Sequence, residues 1–269
     1  MFSRPSNVCW VPAAILALVC ATSPVSALAQ APDPHEAQPE RPSVATHAGT
    51  VAPGWLEVEA GAEFDRYTDR SHGGSAPIVF KLGLARPLQL TVQTPVVHPV
   101  GQSTAGFGDV SAGVKWRFLD DAPVVGNLAI LPSIKMPSGS ADSGTGTSTT
   151  DLSLLFISSH QFGSVSMDLN VGYVRRSGDG SVAPHNAEVW AAAFGGPARG
   201  ALGWGAEVSG YPGTSGPSGS RPTVAFLGGP TVQIRKSLVL DAGFIAPIAG
   251  PQPRAVYAGV TYNVGRVGR

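Results

Sequence analysis

The sequence predicts an all-β fold, namely a closed antiparallel transmembrane β-barrel of about 12 strands. The first observation is that apolar and polar residues alternate with period two, again and again, from Trp55 to the C-terminus. The second is that no helical period of 3.6 residues persists anywhere in the chain. The third is that long and short connections alternate along the chain, which is typical of outer-membrane barrels.

The charge composition of the chain argues against one class of binding partner, nucleic acid. The chain has 269 residues, of which only 13% are charged, and its 18 basic residues balance its 18 acidic residues. A nucleic-acid partner normally requires a basic excess, so we expect no nucleic-acid binding.

Residues 1–29 read as a secretory signal peptide. Arg4 supplies a positive charge, residues 11–21 form an apolar run, and residues 27–29 (Ala-Leu-Ala) resemble a cleavage site. The run is too short for a membrane-spanning helix, and it contains a proline. Both cysteines, Cys9 and Cys20, fall in this segment, so the exported chain has neither a disulfide nor a thiolate metal site.

Residues 30–53 are polar and proline-rich and have no hydrophobic period. Such a composition is typical of disordered segments, so we expect an extension that need not enter the fold. The barrel is then assigned to residues 54–269.

The clearest strand lies in "GFGDVSAGVKWRFLDD" (106–121), where apolar and polar side chains alternate without exception from Asp109 to Phe118. Similar segments predict strands near 55–64, 77–85, 88–94, 107–119, 125–136, 151–160, 164–174, 186–194, 201–211, 222–232, 237–246 and 254–264. The long connections are 65–76, 95–106, 137–150, 175–185, 212–221 and 247–253, and the short ones are 86–87, 120–124, 161–163, 195–200 and 233–236. An antiparallel meander places all the long loops at one end. We expect loop 137–150, which is rich in Gly and Ser, to be mobile and exposed at that end.

The two faces of these strands differ in character. The apolar faces are continuous, and the strands are long enough to cross a bilayer, so we expect them to contact outer-membrane lipid rather than the core of a secreted soluble β-protein, which is the alternative. The opposite faces are expected to line the lumen, and their charged residues are Glu57, Glu59, Glu63, Lys81, Asp109, Lys115, Arg117, Lys135, Asp151, Asp168, Glu207 and Asp241. Eight of these are acids and four are bases, which predicts a preference for cations.

Four stretches carry a family resemblance: "GFGDVSAGVKWRF" (106–118), "LAILPSIKMPSGS" (128–140), "TDLSLLF" (150–156) and "LNVGY" (169–173). They resemble a bacterial family of outer-membrane proteins linked to the meta-cleavage pathway of phenol degradation. The resemblance implies a transmembrane barrel concerned with the passage of small aromatic or other apolar compounds. It supplies no catalytic residue.

Motifs for catalysis are missing from the sequence. It contains no G-x-S-x-G elbow and no complete nucleotide-binding glycine motif, and its histidines lack metal-ligand spacing. Ser158 and His160 share a strand face, but that face is expected to meet lipid. We therefore expect no catalytic site, no cofactor and no metal, and the protein is not expected to be an enzyme.

These observations favour a channel or transporter in the outer membrane of a Gram-negative bacterium that passes a small-molecule solute. The alternative is a non-conducting structural or adhesion barrel whose surface loops bind a partner.

Overall fold

The computed structural model describes residues 33–267. The predicted signal peptide (1–29) and the first residues of the proline-rich extension lie outside the described residues. Among residues 33–267, no helix is long and apolar enough to cross a membrane.

The described chain is built of strands in the predicted order. They are β1 (Trp55–Arg66), β2 (His72–Ala85), β3 (Leu88–His98), β4 (Gly106–Phe107), β5 (Val110–Ala122), β6 (Gly126–Met136), β7 (Asp151–Phe162), β8 (Val165–Arg176), β9 (Asn186–Arg199), β10 (Leu202–Tyr211), β11 (Thr223–Arg235), β12 (Leu238–Ala249) and β13 (Arg254–Arg266). Twelve are long, and β4 is a two-residue strand beside β3.

The sheet closes on itself. Each long strand pairs antiparallel with its neighbours in the chain, and β1 pairs with the last strand, β13, as well as with β2. The closing register runs from Trp55 opposite Arg266 to Arg66 opposite Arg254. The predicted closed antiparallel barrel is therefore confirmed. One predicted strand, 107–119, is interrupted at Gly108 and Asp109. The Gly108 N–H still donates to the Pro95 carbonyl of β3 (2.8 Å), whereas the Asp109 carboxylate accepts from the backbone N–H groups of Gly139 and Thr147 in the following long loop.

The two ends of the barrel differ, as the connections predict. Connections of two or three residues (86–87, 123–125, 163–164, 200–201 and 236–237) lie at what we call the turn end. Gly163 and Gly200 begin two of these turns with a φ of 61°, which a residue with a Cβ rarely adopts. Connections of up to 14 residues lie at the opposite, loop end. Several strands extend further toward the loop end than predicted, and β2 begins at His72 rather than at 77.

Side chains segregate between the two faces of the barrel. On β5, Lys115 is fully buried on the inner face, whereas Val114, Trp116 and Phe118 are exposed on the outer face. Polar-in and apolar-out is the arrangement of a membrane barrel, and it is the reverse of a soluble barrel with an apolar core.

Residues 33–53 differ from the expected disordered extension, because they lie inside the lumen. We call them the inner segment. Their backbone N–H groups, from Gln38 to Val51, donate to side chains of the barrel wall. A segment without an apolar period is ordered here because the wall supplies the hydrogen-bond acceptors that water would otherwise supply.

We predict that Val114→Arg destabilises the barrel by roughly 2–4 kcal/mol, because it places a charge in lipid. Ser111→Arg is the matched control, since Ser111 lies on the inner face of the same strand and borders open space. Urea unfolding in lipid vesicles measures both. Equal losses of stability in the two variants would contradict the assignment of faces.

Candidate functional site

The inner segment enters and leaves the lumen at the turn end. Near its start, Asp33 forms an ion pair of 2.8 Å with Lys236 in the turn between β11 and β12, and the Ala37 N–H donates to the Lys236 carbonyl (2.8 Å). Its last residues lead into β1 at Trp55, again at the turn end. The segment is therefore a loop that rises into the barrel and returns.

Three wall carboxylates accept hydrogen bonds from five backbone N–H groups of the inner segment. The bonds run from Gln38 to Glu57 (2.7 Å), from Glu40 and Arg41 to Glu59 (2.9 and 2.8 Å), and from Val44 and Ala45 to Glu207 (3.2 and 2.8 Å). Hydrogen bonds to an ionised acceptor are stronger than neutral ones, so these carboxylates order the segment.

Neutral side chains continue the same pattern on the other side of the lumen. Asn170 accepts from the Thr46 N–H (2.8 Å) and donates to the Thr46 carbonyl (2.9 Å), as a neighbouring strand would. Further along, the Ala48 N–H donates to Ser159 (2.7 Å) and the Val51 N–H donates to Gln89 (2.9 Å).

Two fully buried lysines complete the contact between wall and segment. The Lys81 ammonium lies 2.6 Å from Glu57 and 2.5 Å from Glu59 and donates to the Gln38 carbonyl. The Lys115 ammonium pairs with Glu40 of the segment and donates to the carbonyls of His47 and Gly49. Each lysine is compensated by at least one carboxylate, as burial of a charge requires.

The predicted lumen residues fall into several groups. Glu57, Glu59, Lys81, Lys115 and Glu207 contact the inner segment directly. Asp109, Lys135 and Asp151 form a separate network at the loop end. Asp168 bonds to Ser159 (2.5 Å), Arg117 pairs with Asp120 (2.7 Å) at the turn end, and Glu63 and Asp241 lie on β1 and β12. The sequence reasoning missed Glu40, Arg41, Gln89, Asn170 and Arg176, although the four charged residues of the proline-rich stretch were a signal that it has partners.

The loop-end network holds the loop 137–150 against the barrel. Asp109 accepts from the backbone N–H groups of Gly139 (2.9 Å) and Thr147 (3.1 Å) and pairs with Lys135 (2.8 Å). Burial raises the pKa of Asp109, but Lys135 and these N–H donors outweigh it and keep that pKa below its ordinary value. The loop was expected to be mobile. The structure instead anchors it through a carboxylate that precedes β5.

Open space lies on both sides of the inner segment. On the loop side is a cavity of about 330 Å³, which shares Gln93, Ser111 and Lys135 with an outer cavity of about 750 Å³. On the turn side is a cavity of about 550 Å³ lined by His47 and Asp168. Segment residues 40–46 border the loop-side cavity, and residues 47 and 49 border the turn-side cavity, so the segment separates the two.

The Ser158 and His160 side chains lie 2.9 Å apart on the outer face of β7. The Ser158 hydroxyl donates to the Val125 carbonyl (2.7 Å), so its proton is not directed at the imidazole. This geometry does not activate the serine as a nucleophile.

Comparison of the sequence with family models decides the family. The model described as "Putative MetA-pathway of phenol degradation" matches residues 40–263. The chain belongs to this family. The match begins at Glu40, inside the inner segment, and includes every long strand except the last three residues of β13. A comparison with curated proteins gives no match.

Solved structures with a similar fold are outer-membrane proteins. An outer membrane channel from Pseudomonas putida F1 superimposes with a TM-score of 0.64 at 9% identity, over 80% of this chain and 97% of that chain. The KdgM porin superimposes with a TM-score of 0.53 at 12% identity, over 77% of this chain and 98% of that chain. At such identities the likeness establishes the fold.

We predict that acid weakens the binding of the inner segment. Burial, together with the Lys115 ammonium, lowers the pKa of His47 from 6.5 to about 4 in spite of Glu40 nearby. A released His47 takes up a proton near pH 6.5 and a bound one does not. The contribution of His47 to binding is therefore full above pH 6.5 and is lost as the pH falls to 4, which weakens binding by about tenfold at pH 5.5.

Glu40 acts in the same direction at lower pH. Burial raises its pKa, but Lys115 and Lys81 outweigh burial and hold that pKa below 4.5, so its contribution is lost only below pH 4.5. Hydrogen exchange of the Ala45 and Ala48 amides, in the wild type and in His47→Gln, measures both effects. Identical pH profiles for the two proteins would exclude His47 as the cause.

Proposed function

We propose that the protein is a passive channel of the bacterial outer membrane, that the inner segment closes its lumen, and that displacement of this segment opens it. The observation that carries the proposal is the pair of cavities that border the inner segment, one on its loop side and one on its turn side. The barrel wall around the segment is continuous and polar, so water and solutes can replace the segment once it moves. The short turns are assigned to the periplasmic side and the long loops to the cell surface.

The substrates that we propose are small, aromatic or otherwise hydrophobic compounds. The loop-side cavity is lined by both apolar and polar side chains. The apolar ones include Val79, Leu131, Leu155 and Val189, and the polar ones include Thr91, Gln93, Ser111 and Ser133, which can hydrogen-bond to a solute. A compound with an apolar ring and a polar substituent can contact both kinds of residue, and the family description, which refers to phenol degradation, supports the same class.

The charge of the lumen favours cations over anions. The structure adds Glu40 and Asp65 to the acids of the lumen and Arg41 and Arg176 to its bases, so the surplus of acids remains. Neutral and cationic solutes are therefore favoured over anionic ones. This proposal assigns no catalytic role to the barrel.

Deletion of residues 33–49 tests the closure. We predict that the deletion variant conducts several times more current than the wild type in planar bilayers and prefers K⁺ to Cl⁻, because its acidic wall is then hydrated. Asp69→Ala, which removes an exposed carboxylate of a surface loop, is the control and should conduct as the wild type does. Heat-dependent gel mobility verifies folding of each variant. A folded deletion variant that does not conduct would favour the adhesion barrel.

Growth tests the substrate class. A strain without the gene should grow slowly on limiting phenol and normally on succinate, and the wild-type gene should restore growth. The double variant Leu131→Asn and Leu155→Asn should restore growth poorly, because it replaces two apolar side chains of the cavity lining with polar ones. Restoration equal to that of the wild type would argue against aromatic substrates.

A further inference from the structure

Two glycines form a flat patch on the lumen wall beneath the side chain of Arg41. Gly61 on β1 and Gly259 on β13 are paired opposite each other. A Cβ on Gly61 would lie 2.7 Å from Cζ of Arg41, and a Cβ on Gly259 would lie 3.1 Å from its Nη1. The first distance is too short for a side chain and the second is tight, so the guanidinium group lies in space that a Cβ on Gly61 would take.

A buried carboxylate points over the same patch. Asp241 on β12 is paired with Gly259, and its two oxygens lie 2.8 and 2.9 Å from the Cβ position of that glycine. Asp241 is 7% exposed, yet neither oxygen has a hydrogen-bond partner, and Nη1 of Arg41 has none either. The carboxylate and the guanidinium therefore face each other without completing the bidentate pair that their chemistry allows.

Two further carboxylates border the patch along β1. Glu59 lies next to it toward the turn end and accepts from the backbone N–H of Arg41 (2.8 Å). Glu63 lies next to it toward the loop end, opposite Tyr257. A flat patch bordered by carboxylates suits a planar cation that donates hydrogen bonds in several directions, and guanidinium is such a cation.

The patch can be reached from the loop end of the barrel. Arg41 and Glu59 both line the loop-side cavity, which continues into the outer cavity. A solute from outside the cell would thus meet this part of the inner segment first. The Arg41 backbone is fixed at Glu59, and in this position Nη1 of Arg41 and both Asp241 oxygens have no partner, whereas a free guanidinium group can turn to bond to Asp241.

We propose that Gly61, Gly259, Asp241, Glu59 and Glu63 form a binding site for the guanidinium group of a small solute, that Arg41 is its built-in occupant, and that the solute displaces Arg41 and so releases the inner segment. This inference rests on the proposed channel for the passage of the solute. It adds the class of compound that opens the channel. A ligand that binds only the released state shifts the population toward that state.

Labelling of a single cysteine in the inner segment tests the proposal without relying on conduction. The only cysteines of the chain are Cys9 and Cys20, ahead of the described residues, and Ala45 is 3% exposed beneath the loop-side cavity. Purified Ala45→Cys protein in vesicles is treated with a small maleimide and millimolar guanidinium chloride at constant ionic strength. The labelling rate should rise several-fold and saturate, and sodium or tetramethylammonium chloride should have no such effect.

Variants of the site separate specific binding from a general salt effect. Asp241→Asn should abolish the response to guanidinium. Gly61→Ala should label rapidly without guanidinium, because its Cβ excludes Arg41, and Gly205→Ala is its matched control, since a Cβ there meets nothing within 4 Å. If Gly61→Ala does not fold, Arg41→Gln should likewise label rapidly and not respond.

An equal response to sodium, or an undiminished response in Asp241→Asn, would overturn the guanidinium site. The labelling test of the guanidinium site is independent of the conduction test of the channel. If guanidinium accelerates labelling but the deletion variant does not conduct, the site stands and the channel fails. If the deletion variant conducts but labelling ignores guanidinium, the channel stands and the site fails.

Discussion

A strand in a bilayer must bond every backbone N–H and C=O group to protein, because lipid offers no partner. In this chain the pairing of β1 with β13 meets that requirement by removing both edges of the sheet. Closure forces one face of every strand inward, and the inward face is the polar one because the outer face meets lipid. A barrel of twelve strands encloses more space than its side chains fill, so the same closure creates a polar lumen in which the inner segment can bind.

The fold was predictable from sequence because period-two alternation is a local property of each strand. The alternation around Lys115 predicts that Val114 and Trp116 lie on the outer face and Lys115 on the inner face, as observed. This prediction needs no information about the neighbouring strands. The strand ends and the interruption at Asp109 were not predictable in this way. They depend on bonds from Asp109 to Gly139 and Thr147, which are about 30 or more residues away in the sequence.

The contents of the lumen were hidden from sequence analysis for a physical reason. The wall recognises the inner segment mainly through backbone N–H groups, which nearly every residue possesses, so the segment needs no hydrophobic period to bind. Its side chains left few clues, namely the charges of Asp33, Glu36, Glu40 and Arg41. This changes the role of Glu57 and Glu59, which were interpreted as lumen-lining charges that favour cations. In the structure their oxygens are engaged with the backbone of the segment and with Lys81, and removing Lys81 would leave their buried charges without a cation.

The way the segment is held suits reversible release. Its buried apolar side chains are small, and the hydrophobic cluster that it joins consists of Ala48, Ala129 and Ile157, with Leu131 and Leu155 beside it. Hydrophobic burial therefore contributes little to its binding. The larger part of the binding free energy of the segment comes from hydrogen bonds and ion pairs. Each of these contributes only about 0.5–3 kcal/mol in net terms, because water can replace it. Because water fills the space that the segment leaves, its departure exposes polar groups to hydration and not to lipid. The barrel wall keeps its own backbone bonds throughout, so the segment can be released while the fold stays intact.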